Sequence, residues 1–449
     1  MQTFHDFLQA AASVKPSRRQ LQWFDTEFYA FVHFSPNTYT GLEWGTGKED
    51  PAIFNPTELD CDQWTAAIKA AGMKGLILTA KHHDGFCLWP SAYTEHSVKN
   101  SPCQKDIVKE AADACRRAGL KFGFYLSPWD RHEASYGTSA YNDYYCNQLT
   151  ELLTGYGDIF CVWFDNACGE GPNGIKQEYD FPRYIELIRH YQPEAVIFND
   201  YGPDTRWCGN EAGRARHAEW AVVPSELCHL ASPVQTGPGP LAEGADSSYQ
   251  YNPDPDIGSL SNILYSKGLV FCPSEVDTSI RKGWFYHPEE TPRDLDTLFS
   301  IYLSTVGGNT CLNLNIPPMP SGLFDPQDVA RLQALGDRIR AAFSKNYAAQ
   351  AKLTKTKISA TQASWTLRFP SPVSIQYVTL LEDIAEGQRV EAFQLRARRE
   401  NDEVLTFYRG TAVGHKKICA LPHPVQTDEL TIVVTASRGE PLMKGIEVY

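Results

Sequence analysis

From residue 28 to about residue 345, short and almost wholly apolar runs alternate with amphipathic stretches of helical period, and this alternation limits the possible folds more than any other feature of the chain. The runs are FYAFVHF (28–34), GLILTA (75–80), KFGFYLS (121–127), IFCVWFD (159–165), AVIFND (195–200), GLVFCPSE (268–275) and CLNLNIP (311–317). Between them lie segments such as CDQWTAAIKAAG, DIVKEAADACRRAGL and FPRYIELIRHYQP. A strand that is apolar throughout needs cover on both faces, and a crossover helix must bury its own apolar stripe, so the pattern reads as parallel strands wrapped by helices. Seven runs fit an α/β fold of the (β/α)₈ type, a TIM-like barrel with one strand degenerate or missed. An open, doubly wound sheet is the competitor, but no GxGxxG turn follows the first run, which weakens its dinucleotide-binding form.

The last barrel helix is expected in DPQDVARLQALGDRIRAAFSK, whose Asp-Pro start suits a helix N-terminus. Beyond it the period changes to two. SWTLRFP, SIQYVTLLED, EAFQLRARRE, EVLTFYRG and LTIVVTAS read as short antiparallel strands, so a catalytic barrel over 1–345 and a small C-terminal β-sandwich over 346–449 are expected.

The net charge of −13, with no run of five or six Lys or Arg, argues against nucleic acid as a partner. No stretch approaches the ~18 apolar residues of a membrane span. The first twenty residues lack a basic start followed by an apolar stretch; the expectation is a cytoplasmic protein as given, or a periplasmic or secreted one if a signal was removed. Twelve cysteines in 449 residues are dilute and form no CxxC pair, so they read as reduced, mostly buried thiols. The oligomeric state is not legible.

Parallel barrels carry their chemistry at the C-terminal ends of the strands. There the chain places His33, then Glu43 and Trp44; His82 and His83; Tyr125; Trp163 and Asp165; Asn199 and Asp200, then Arg206, Trp207 and Glu211; and Glu275 and Asp277, then Arg281 and Trp284. Carboxylates, histidines and tryptophans around one mouth suit a sugar: aromatic faces stack on its C–H patches, polar groups bind its hydroxyls, and paired carboxylates can hydrolyse its glycosidic bond. Each group also has an ordinary explanation. Asp165 can cap the following helix, Glu43 can be a solvated loop carboxylate, and Trp44 and Trp284 can be packing residues. His82 and His83 face opposite sides if they continue a strand, unless the chain bends beyond Ala80. There is no HxH, HExxH or Cys/His cluster of zinc spacing, and neither a metal nor a cofactor is expected.

The segments FVHFSPNTYTGLEWG, LTAKHHDGFCLWPS, FGFYLSPWDRH, VWFDNACGEG, RWCGNEAG, SEVDTSIRKGWFYH and GGNTCLNLNIPP, in this order, resemble α-L-fucosidases of glycoside hydrolase family 29. The resemblance covers roughly residues 20–325. It implies a retaining double displacement on a fucosylated oligosaccharide or glycoconjugate, with Asp165 as nucleophile and His33, Glu43, Trp44, His82, His83, Tyr125 and Trp163 around the fucose ring. The GNE motif resembles the subgroup acting on α-1,3 and α-1,4 linkages, where Glu211 matches the acid/base; Glu275 is the rival, and Arg281 and Trp284 belong to the same pocket in the resemblance. Ser35 and Gly308-Asn309 depart from the family's common HFG and RN. The Pro-, Gly- and Ser-rich stretch 221–259 is long for a barrel loop and is expected to shape the side where the rest of the glycan lies. Two alternatives remain: a metal-dependent hydrolase using His33, His82, His83 and Asp165 as ligands, and an inactive fucose-binding protein.

Overall fold

The computed structural model describes residues 4–233, 239–241, 256–398 and 403–449. In chain order its strands begin with β1 (Phe28–Val32), β2 (Gly75–Lys81), β3 (Lys121–Leu126), β4 (Cys161–Trp163), β5 (Val196–Phe198) and β6 (Arg206–Trp207). The antiparallel pair β7 (Val222–Pro224) and β8 (Leu269–Phe271) follows, then β9 (Ser274–Ser279) and β10 (Cys311–Asn315). Eight of these form one parallel sheet in the order β5-β4-β3-β2-β1-β10-β9-β6, and a single bridge from Phe198 to Thr205 nearly closes it into a barrel.

Helices Cys61–Ala70, Ile107–Ala118, Ser139–Gly155, Phe181–Tyr191, Leu295–Thr305 and Pro326–Ala342 follow β1, β2, β3, β4, β9 and β10. Asp60, Asp106, Asp180, Asp294 and Asp325 each accept a backbone N–H at the start of one, which satisfies amides that have no partner within the helix. On Ile107–Ala118, residues Ile107, Val108, Ala111, Ala112, Ala114 and Cys115 are buried at helical spacing, and Gly119 ends the helix with φ 70°.

The barrel sheet differs from the sequence reading in two places. GLVFCPSE is not one strand. Its apolar half is β8, outside the barrel, and the barrel strand is the polar SEVDTS after Pro273. The eighth strand is the two-residue β6, which sequence patterning cannot register because neither period shows in two residues. Within the barrel the strands alternate: Tyr29, Phe31, Ile77, Tyr125, Cys161, Trp163, Val196, Phe198 and Cys311 share the inner cluster, while Ala30, Val32, Leu78, Phe124, Val162 and Leu314 pack against the helices.

The C-terminal strands β11 (Lys352–Lys357), β12 (Ala363–Glu382), β13 (Val390–Arg398), β14 (Val404–Gly410), β15 (Lys417–Ser437) and β16 (Met443–Val448) form an antiparallel sheet. SWTLRFP and SIQYVTLLED, which read as separate strands, belong to the single β12. Its pairing with β15 breaks between Arg368 and Val373, around two prolines that cannot donate to a ladder. This sheet meets the barrel beside the N-terminal ends of β1 and β10: Ile418 N–H donates to Gly307 O, and His415 stacks on Phe24. All twelve cysteines are free thiols and ten are buried. Among the described residues no helix is long and apolar enough to cross a membrane.

Candidate active site

Strand alternation carries inward-facing positions past the ends of β1, β3, β4 and β5: two residues beyond Phe31 lies His33, two beyond Tyr125 lies Ser127, two beyond Trp163 lies Asp165 and two beyond Phe198 lies Asp200, while on β9 the same count from Glu275 reaches Asp277 within the strand. On β2 the register shifts between Thr79 and Lys81. Lys81 swings to the helix side, where it bonds Asp130 (2.9 Å) and Gln148 (3.0 Å), and the chain then bends so that His82 and His83 both line the mouth. The bend beyond Ala80 is thus present.

These groups enclose a cavity of about 370 Å³ lined by Phe31, His33, Glu43, Trp44, His82, His83, Tyr125, Trp163, Asp165, Asn166, Ala167, Asp200, Glu211, Asp277 and Trp284. Asp165 does not cap a helix, since Asp180 caps the next one. Its Oδ2 accepts from Tyr125 Oη (2.9 Å), its Oδ1 accepts from Ala167 N–H (2.7 Å), and His83 Nε2 stands 3.8 Å away. His83 Nδ1 meets Ser127 Oγ at 2.7 Å, and His33 Nδ1 meets Asn315 Oδ1 at 2.8 Å. Trp163 stacks on Phe198 with ring centres 4.1 Å apart and donates to Glu275 Oε1 (2.8 Å).

Glu211 sits on the loop after β6. The side chain of Asn210 staples that loop, accepting from Ala212 N–H (3.1 Å) and donating to Arg214 O (2.8 Å). Arg206 anchors the loop's base through a buried pair with Glu219 at 2.6 Å. The Glu211 carboxylate accepts from Trp284 Nε1 (3.3 Å), while Glu43 accepts from Trp284 N–H (2.9 Å) and faces His287 at 2.7 Å.

Burial dominates the electrostatics. It drives His33 down to about 3 and lowers His82 and His83, so the imidazoles of the cavity are neutral. Burial, then the negative Asp165 nearby, raises Asp200 to about 6; burial, then Glu275, raises Asp277 well above the usual carboxylate range.

Two expected residues are not brought into this cavity. Glu275 begins β9 instead of ending a strand, so it lies beneath the cavity, fully buried. There it accepts from Tyr29 Oη, Trp163 Nε1 and Asn313 Nδ2, and burial raises it to about 7. Arg281 is buried against Asp328 (2.8 Å) and Asp325 (3.1 Å), tying the loop after β9 to helix Pro326–Ala342. Sequence reasoning noted Asp200 and Asp277 at strand ends without selecting them, and missed Phe31, Asn166 and Ala167; counting two residues onward from Phe198 and Glu275 finds both carboxyls. Of the stretch 221–259, residues 234–238 and 242–255 lie outside the described residues. Among the described residues, no group of three or more His, Cys, Asp or Glu is arranged to hold a metal ion.

Residues 9–342 match the family model described as alpha-L-fucosidase. The chain is similar to "Alpha-L-fucosidase 1" of Arabidopsis thaliana, with 38% identity over 97% of this chain and 87% of that one. Among solved structures it resembles a glycoside hydrolase 29 family member from an unknown rumen bacterium (39% identity, TM-score 0.84, 97% of this chain and 77% of the other). It also resembles a Ruminococcus gnavus GH29 fucosidase in complex with fucose (27% identity, TM-score 0.82, 97% and 95%).

Proposed function

The chain belongs to the α-L-fucosidase family, glycoside hydrolase family 29, and we propose that it works as a retaining exo-enzyme releasing terminal L-fucose from α-1,3- and α-1,4-fucosylated oligosaccharides. It is a glycoside hydrolase, an α-L-fucosidase. The observation that carries the mechanistic reading is the setting of Asp165: a carboxylate at the end of an inner barrel strand, held by one O–H and one N–H donor in a cavity of neutral imidazoles and aromatic rings. Its orientation is fixed before substrate arrives, which lowers the entropic cost of attack on the anomeric carbon. Glu211, on the loop after β6, would protonate the departing glycosidic oxygen and later deprotonate the incoming water. In support of this assignment, Glu211 lines the cavity and Glu275 does not. Trp44 and Trp284 offer faces for the sugar's C–H patches. The linkage preference rests on the likeness of RWCGNE to one subgroup.

The test is Asp165→Ala with an aryl α-L-fucoside. Turnover should fall by at least about a thousandfold, and azide should restore product as the β-L-fucosyl azide, with inversion at the anomeric carbon. An active variant removes Asp165 from the role of nucleophile. For the linkage, a Lewis-type trisaccharide should be cleaved with a higher kcat/KM than 2′-fucosyllactose; equal values would remove the α-1,3/1,4 preference and leave the fucosidase activity standing.

A further inference from the structure

Beside the cavity runs a short chain of polar contacts that the reaction as described does not use. Ser127 Oγ lies 2.6 Å from Trp129 O and 2.7 Å from His83 Nδ1. Ser127 is fully buried. A serine hydroxyl has one proton, and a carbonyl oxygen can only accept, so that proton is committed to Trp129 O. Toward His83 the serine then offers a lone pair, and the hydrogen of that bond must come from Nδ1. A neutral imidazole carries one N–H, which leaves Nε2 bare.

We propose that Ser127 is a positioning residue: it fixes His83 with its proton on Nδ1, so that a bare Nε2 faces Asp165 and the carboxylate is not bound by the imidazole. The 3.8 Å separation of Nε2 from Asp165 Oδ2 agrees, being longer than the ~3.2 Å limit of an N–H···O bond. Two donors already serve Asp165, Tyr125 Oη on Oδ2 and Ala167 N–H on Oδ1. A third, from an Nε2–H, would stabilise the carboxylate before attack more than during it, because attack consumes the negative charge. A bare Nε2 instead accepts a hydrogen bond from a hydroxyl of the bound sugar. Burial is the main cause that keeps the His83 imidazole neutral; of the charges around it, Asp165 and Asp130 favour its protonation and Arg131 and Lys81 oppose it. His82 lies alongside, with ring centres 4.2 Å apart, and Trp44 and Trp129 cover the remaining sides.

The proposal rests on Asp165 as nucleophile for its kinetic consequence and not for the tautomer itself, so the two can fail separately. The protein is labelled with ¹⁵N-histidine, His83 is assigned by comparison with His83→Gln, and two-bond ¹H–¹⁵N spectra are recorded at pH 7 for the wild type, Ser127→Ala and Ser127→Thr. The wild type should show Nδ1 protonated and Nε2 bare. In Ser127→Ala the proton should move to Nε2, with kcat on an aryl α-L-fucoside falling about tenfold and KM changing little. Ser127→Thr, which keeps the hydroxyl, should retain the wild-type tautomer and most of the rate. A wild-type His83 with a protonated Nε2 overturns the proposal whatever the variants do. Ser127→Ala that loses activity with the tautomer unchanged overturns it too, since the role would then be structural only. Should Ser127→Ala not fold, the wild-type and Ser127→Thr spectra decide. If azide rescue excludes Asp165 as nucleophile while the spectra hold, the mechanistic reading fails and the positioning of His83 stands.

Discussion

The two walls of the cavity are built on different principles. The wall carrying His33, His82, His83, Tyr125 and Asp165 continues β1 to β4, parallel strands that pair with one another and pack on helices, and its groups are mostly buried. The wall carrying Glu211 and Trp284 grows from the loops that follow the two-residue β6 and the polar β9, and Glu211 is exposed. Secondary structure orients the first wall; side-chain staples such as Asn210, Arg206 and Glu43 orient the second. A nucleophile must meet one carbon along one line, which favours a rigid strand end. An acid/base must reach the oxygen of varied leaving groups and then a water, which an exposed loop permits.

The largest effect separating the walls is expected at Glu211. An acid matters in proportion to the poverty of the leaving group, so Glu211→Ala should reduce kcat/KM on a fucosylated oligosaccharide by about 10²–10⁴-fold and on an activated aryl fucoside far less. Asp165→Ala should show no such dependence. A Glu211→Ala variant that loses both substrates equally would mean that the two walls do not divide the labour.

Glu275 lies under both walls and should affect stability more than leaving-group response. Its pKa is raised from 4.5 to about 7 by burial, so the folded protein holds the proton more tightly than the unfolded chain does. The stabilisation is fully present below about pH 4.5 and is lost as pH rises through 7. Glu275→Gln removes this dependence. Between pH 5 and pH 8 the wild type should lose stability relative to the variant by on the order of 3 kcal/mol, about a hundredfold in the folding constant. Denaturant unfolding of both proteins at the two pH values checks it, and parallel losses would remove Glu275 as the titrating group.

The contrast between the walls also explains what the sequence made legible. The β1–β5 side was readable because each strand is an apolar run, and the polar residue after FYAFV or CVWF stands out against it. The second wall gave no such signal. Pro273 ends an apolar run and a polar hexapeptide then takes the barrel position, so Glu275, expected at the end of a strand, is at its start. Arg281 looked available to a substrate because its partners, Asp325 and Asp328, lie more than forty residues onward, a pairing no local spacing reveals. RWCGNE placed Glu211 only through family likeness; the staple that holds it depends on a loop conformation that neither helical nor strand period encodes.

Two deletions of a single donor then compare the walls directly. On the buried side, Tyr125→Phe removes the O–H held 2.9 Å from Asp165. In the proposed double displacement, attack discharges the carboxylate and release of fucose regenerates it, so the lost donor should slow the second half of the reaction more than the first. A buried bond to a charged group is worth about 2 kcal/mol, so the second step should slow ~30-fold and kcat should fall towards that factor as this step comes to limit turnover. KM should fall with it as the fucosyl-enzyme accumulates, and a pre-steady-state burst of aryl alcohol should become visible. A fall in kcat/KM as large as that in kcat would instead place Tyr125 in the first step.

On the exposed side, Trp284→Phe removes the indole N–H that reaches Glu211 Oε2 at 3.3 Å, while the backbone of residue 284 stays pinned by Glu43 and by Asn315, whose amide donates to Trp284 O at 2.8 Å. The phenyl ring keeps an aromatic face at the cavity. What is lost is one long bond in contact with solvent, where water replaces the donor at little cost, so about 0.5 kcal/mol and a two- to threefold fall in kcat/KM on an oligosaccharide are expected. The activated aryl fucoside should show no change, because its leaving group needs little help from the acid. The comparison lies in the ratio: the buried donor should matter about ten times as much as the exposed one, although each removes a single hydrogen bond to a carboxylate of the proposed catalytic pair. A Trp284→Phe effect as large as that of Tyr125→Phe would mean that the loop wall holds Glu211 as rigidly as the strands hold Asp165, and the difference between the walls would then be one of construction and not of function.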